Sequence, residues 1–102
     1  MTSIDHDKLN ELLRAVGMKV FVEILYPALT HDRSVTAIEL TRKYPTYAEF
    51  TQAAQNTRLS KAKKIFNNGW QREALITISL SSRTDPSVRS KAEELGLEYN
   101  KV

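Results

Sequence analysis

Apolar residues near the start of the chain recur with a helical period. Leu9, Leu12, Leu13 and Val16 stand at i, i+3, i+4 and i+7, the spacing that puts one buried stripe on an α-helix. Ser3 or Asp5 can cap its start, because a short side-chain oxygen accepts from an unpaired backbone N–H. Gly17 stands where a left-handed residue ends such a helix. The next run, Met18 to Leu29, fits two patterns at once. Phe21, Ile24, Leu25 and Ala28 follow helical spacing, whereas Val20, Val22, Ile24 and Tyr26 alternate like a strand. No second strand is available to pair with it, so its length predicts a helix. Pro27 bends or ends that helix by removing a hydrogen bond to the Glu23 carbonyl.

After a polar connection at Thr30 to Ser34, a third helix is predicted to about Lys43, with Ala37, Ile38 and Leu40 facing inward. Pro45 stops it, since the residue before a proline avoids the α region. Thr46 and Glu49 make a capping box for a fourth helix with Tyr47, Phe50 and Ala54 as its stripe. At about 100° per residue, Leu59, Ala62 and Phe66 fall on a different side from that stripe, which predicts a break near Asn56-Thr57. A fifth helix then runs to Asn67-Asn68-Gly69. Trp70 to Leu80 is again ambiguous. Ile76, Ile78 and Leu80 alternate, but Gln71 to Leu75 are good helix formers and Trp70, Ala74 and Ile78 stand at i, i+4, i+8. Asp85-Pro86 opens a last helix, which Gly96 stops after Leu95.

Ala62, Phe66, Gly69, Glu73-Ala74-Leu75, Ile78 and Asp85-Pro86 resemble the helix–turn–helix hairpin of a tetratricopeptide-type repeat. The resemblance covers less than a third of the chain, and no second copy occurs at a period near ~34 residues. It implies helix for Trp70 to Leu80 and nothing about a ligand. The expected architecture is one all-α domain, a bundle of about six short helices with helix-turn-helix-like hairpins and frayed ends at 1–4 and 98–102.

Composition narrows the function classes. With 102 residues, 41% of them hydrophobic and 26% charged, the chain suits a single globular core of about a dozen large side chains. It has no cysteine, which excludes disulfides and thiolate metal sites. The start lacks the basic and apolar pattern of a secretion signal, and the longest apolar run is broken by Glu23 and Pro27. A cytoplasmic protein without a membrane role is the expectation. His6 and His31 stand alone, the serines Ser79, Ser81 and Ser82 have no histidine placed to serve as a base, and Glu93-Glu94 point about 100° apart. No enzyme, cofactor or metal is therefore expected, and no motif implies a small-molecule substrate.

Charge changes the picture more. From Phe50 to Arg72 there is no acidic residue, while Arg58, Lys61, Lys63, Lys64 and Arg72 lie within that stretch of a chain whose net charge is +3. On the fifth helix the stripe of Leu59, Ala62 and Phe66 leaves Lys61 and Lys64 opposite, with Arg58 and Lys63 flanking. These four span roughly 9 Å at about 1.5 Å per residue and suit a phosphate backbone, whose neutralisation releases counterions. The alternative is an ordinary solvated surface. Trp70 either stacks on a base or fills the core. A DNA-reading frame can be drawn over Thr36 to Arg42, a turn at Lys43 to Thr46, and a reader helix Tyr47 to Asn56 presenting Thr51, Gln52, Gln55 and Asn56. The remaining reading is a protein–protein module or homodimer, in which Tyr26, Tyr44, Tyr47 and Trp70 supply apolar surface to a partner.

Overall fold

The computed structural model describes residues 4–100, with side chains through residue 98. Seven helices make up the regular structure of these residues, with no strand among them. They are α1 (His6–Val16), α2 (residues 18–31), α3 (Ala37–Lys43), α4 (Pro45–Ala48), α5 (Gln52–Asn67), α6 (Gln71–Ser79) and α7 (Pro86–Asn100). None is long and apolar enough to cross a membrane among the described residues. Of the ends expected to fray, 1–3 and 101–102 lie outside the described residues. Within them Ile4 packs against the core and α7 stays helical through Asn100.

The α1 stripe is buried as its spacing predicts, and Asp5 is the cap, accepting from the Lys8 amide at 3.0 Å. Gly17 ends the helix at φ 89°, with its amide on the Leu13 carbonyl at 2.8 Å. The ambiguous run that follows is helical throughout. Its middle, Phe21–Leu25, is a π turn in which the Tyr26 amide reaches back to the Phe21 carbonyl. Pro27 does not end the helix, which continues as Tyr26–His31. The wider turn precedes it, where a proline would otherwise break an α ladder. Both apolar patterns are buried apart from a half-buried Val20, because Phe21, Val22, Ile24, Leu25, Tyr26 and Ala28 all face protein. The π turn touches both α5 and α7, so α2 runs through the middle of the molecule.

Three expectations between 36 and 56 are corrected. The capping box belongs to Thr36 and Glu39, which exchange side-chain and backbone bonds at the start of α3, and not to Thr46 and Glu49. Thr46 lies inside α4, a single turn opened by Pro45. Ile38 is 65% exposed rather than inward-facing, and Leu40 carries the contact. The break expected at Asn56-Thr57 lies instead at 49–51. There Thr51 caps α5 through the Ala54 amide at 3.1 Å, and one uninterrupted helix runs to Asn67. The phase shift that suggested a break is real, but Tyr47 and Phe50 belong to the preceding turn. The reader helix of the DNA-reading frame is consequently absent as a unit. Gln55 also turns back, donating to the Phe50 carbonyl at 2.8 Å.

A glycine turn closes α5. Gly69 takes φ 73°, with its amide on the Phe66 carbonyl at 3.0 Å and the Trp70 amide on the Ile65 carbonyl at 2.9 Å, the double bond of a Schellman ending. After it, α6 packs chiefly on α7 and only lightly back on α5, so the hairpin suggested by the repeat resemblance is not the dominant pairing. Asp85 opens α7 by accepting from the Ser87 amide at 2.9 Å. Gly96 does not stop this helix and has no positive φ; glycine inside a helix costs about 1 kcal/mol and does not forbid it.

Phe21, Tyr26 and Phe66 meet at the centre, with ring centroids 5.8–6.2 Å apart. Tyr26 and Tyr47 are thus core residues, and Tyr44 and Trp70 pack partly against the core, rather than forming a free apolar surface. Among the described residues the exposed large apolar side chains are instead Ile38, Ile76, Leu80 and Leu97. Tyr47 is fully buried and its hydroxyl donates to the Gln55 carbonyl. Burial pushes its pKa up to about 12, against the pull of the Arg58 guanidinium and the Leu59 amide. A phenol whose folded pKa is raised contributes stability that is complete below its unfolded value near ~10 and is lost as pH rises through the folded one. Urea unfolding should therefore lose stability from about pH 10 to 12. Tyr47→Phe should give up about 1 kcal/mol at neutral pH and show a shallower alkaline decline. Parallel declines for both proteins would contradict this assignment.

Candidate nucleic-acid interface

The inward side of α5 consists of Leu59, Ala62, Ile65 and Phe66, all buried. Stepping about 100° per residue, Arg58 falls between Ile65 and Ala62 in direction, within that inward arc. Its Nη1 donates to the Val16 carbonyl at the end of α1, and its guanidinium lies 4.2 Å from the centroid of the Phe50 ring. This cation closes the C-terminus of α1, where a positive group also meets the helix dipole favourably. The approach requires Gly17, since a Cβ there would stand 2.8 Å from the same nitrogen.

The other α5 cations face outward. Lys64 is exposed, opposite the core, and Lys61 and Lys63 are half-buried on the two flanks. Asn56, Ser60, Lys63, Lys64 and Asn67 form a stripe about 100° wide, and with Leu59 they line an open depression of about 330 Å3. The three neutral members are functional candidates that charge counting misses. Their signal is the i, i+4, i+7, i+11 spacing with a lysine on that same side.

Carboxylates approach the set at two points. Asp32, in the α2–α3 loop, accepts from the Ser34 amide at 2.9 Å and its hydroxyl at 2.6 Å. These bonds hold its carboxyl below the usual range, with smaller help from His31 and Lys63. Lys63 is therefore within Coulombic reach of an acidic group, while the guanidinium of Arg33, next to Asp32 in the chain, lies 5.6 Å from the Phe66 ring centroid. Arg72 stands on α6 with Nη1 3.9 Å from the Glu73 carboxylate, and its Nε is buried without a partner. Of the five cations singled out from sequence, α5 presents Lys61, Lys63 and Lys64 outward, Arg58 is turned into the fold, and Arg72 is paired on another helix.

Trp70 packs partly against the core at the start of α6. His6 and His31 are both exposed, and no three His, Cys, Asp or Glu residues among the described ones gather as a metal site would need.

The placement of Arg58 has a measurable consequence. Arg58→Met keeps the aliphatic stem but loses the charged hydrogen bond and the ring contact, and should cost about 1.5–3 kcal/mol in denaturant unfolding. Gly17→Ala should cost about 2 kcal/mol, because alanine resists the left-handed backbone and its methyl displaces the guanidinium. Unchanged stability in both would show that the contact is not structural. Comparison with known proteins adds no constraint: no family model, curated protein or solved structure matches this chain.

Proposed function

We propose that this protein is a non-enzymatic nucleic-acid-binding protein that grips the phosphate backbone with the outward side of α5. The observation that carries the reading is the stripe itself. Lys63 and Lys64 share one open depression with Asn56, Ser60 and Asn67, and no carboxylate lines it. Lysines neutralise phosphates, while amides and hydroxyls bond to phosphate and sugar oxygens without reading sequence. From Asn56 to Asn67 the stripe extends roughly 17 Å at about 1.5 Å per residue, or around five phosphates of one strand. Lys61 extends it at one edge.

Anisotropy titrations with mixed duplex DNA and with RNA test this. Neutralising three phosphates predicts a log–log salt slope near −2.7, so affinity should fall roughly 40-fold between about 50 and 200 mM salt. The double variant Lys63→Glu, Lys64→Glu should abolish binding without altering the far-ultraviolet circular dichroism. No binding of either nucleic acid at the lower salt, or undiminished binding by the variant, would remove the proposal.

A second reading is self-association. It is favoured by Ile76 on α6 and Leu80 just beyond its end, four residues apart, with Leu80 78% exposed. Sedimentation should then show a concentration-dependent dimer that Leu80→Glu converts to monomer, and a strict monomer at high concentration would dismiss it.

A further inference from the structure

A second basic cluster lies away from α5 and was not apparent along the chain, because its members come from three segments. Asn10 and Arg14 stand on one face of α1, Lys19 opens α2, and Ser81, Arg83 and Thr84 belong to the connection between α6 and α7. With Met18 they line a depression of about 440 Å3 that contains no carboxylate. The connection is seated there by the Thr84 hydroxyl, which donates to the Met18 sulfur at 3.0 Å, and by the Thr84 amide on the Ser81 carbonyl at 3.3 Å. Ion pairs among the described residues join Lys8 to Glu11, Arg72 to Glu73 and Lys91 to Glu94, and leave Arg14, Lys19 and Arg83 outside. Lys19 feels Asp85, whose carboxylate is engaged by the Ser87 amide at 2.9 Å and hydroxyl at 2.8 Å, and on its other side it lines a separate depression with Glu23.

We propose that this depression is a binding site for the phosphate group of a small phosphomonoester. Three cations converging on one hollow repel one another, and a bound dianion removes that repulsion. The two guanidinium groups offer planar forks that match phosphate oxygens, and the lysine adds a point charge. Asn10, Ser81 and Thr84 supply neutral donors for the remaining lone pairs. The volume is that of a small-molecule site, about 300–1,000 Å3. A phosphodiester carries a single charge and is strung along a chain, which suits the α5 stripe; a terminal monoester carries up to two on one centre, which suits this hollow. The site is independent of the α5 reading.

Amide chemical-shift titrations with inorganic phosphate, phenyl phosphate and diphenyl phosphate, against chloride at matched ionic strength, test the proposal. Phenyl phosphate should move the signals of residues 14–19 and 81–84 saturably at millimolar concentration, and diphenyl phosphate should bind at least about tenfold more weakly. The double variant Arg14→Gln, Arg83→Gln, changing two exposed side chains, should weaken phenyl phosphate at least about tenfold, with circular dichroism unchanged. Lys63→Glu, Lys64→Glu should leave it intact, so failure of the α5 reading and failure of this one are separable. Saturation by inorganic phosphate alone would assign a free-ion site and overturn the monoester proposal. Shifts equal to those in chloride, or undiminished in the arginine variant, would overturn any site here.

Discussion

The arrangement of the helices rests on one cation turned inward. Arg58 leaves the surface of α5, caps the last carbonyl of α1 and lies on the Phe50 ring just before α5 begins. A guanidinium can serve both partners because it is planar, permanently charged and weakly hydrated. It ties α1 to α5 at the point where Gly17 turns the chain into α2, and this sets the entry of the most buried helix. The same contact accounts for the left-handed glycine, since any side chain there would compete with the guanidinium for space.

Element type was legible wherever one face of a helix is buried and the other is wet, as in α1 with Leu9, Leu12, Leu13 and Val16. It was ambiguous at Met18 to Leu29 because the middle of α2 is enclosed on nearly all sides. A helix apolar all round loses its period, and strand-like alternation is then an accident of composition. A π turn has no signature in single-residue spacing, so the sequence left open whether Pro27 bends the helix or ends it, and the form of the turn before it could not be read. Around residues 46–56 the phase difference correctly indicated two helices, but not where they divide. Tyr47 is held by the Gln55 carbonyl and Thr51 caps the following turn, so local hydrogen bonds placed the boundary before Thr51.

The candidate surface was legible in part. The acid-free stretch drew attention to α5, and Lys64 lies opposite the core as the stripe required. Arg58 was misplaced because Ile65 had been left out of the stripe. Once Ile65 is counted, the buried arc widens to include the arginine. Glu73 beside Arg72 was in plain view, whereas Lys63 could not be judged without knowing that Asp32 comes near it. Proximity between segments distant along the chain carries no periodicity, which is also why Arg14, Lys19 and Arg83 were invisible as a group.

The freedom of α5 from carboxylates has an effect on the helix itself. Arg58 with Lys61, and Lys61 with Lys64, are like charges three residues apart, a spacing at which repulsion costs a few tenths of a kcal/mol per pair. No glutamate offsets them, so an excised peptide of this sequence would be a poor helix in water. The row of lysines is displayed only while Leu59, Ala62, Ile65 and Phe66 are docked. Display and folding are one equilibrium, and any polyanion that engages the row must raise the melting temperature of the whole chain by mass action.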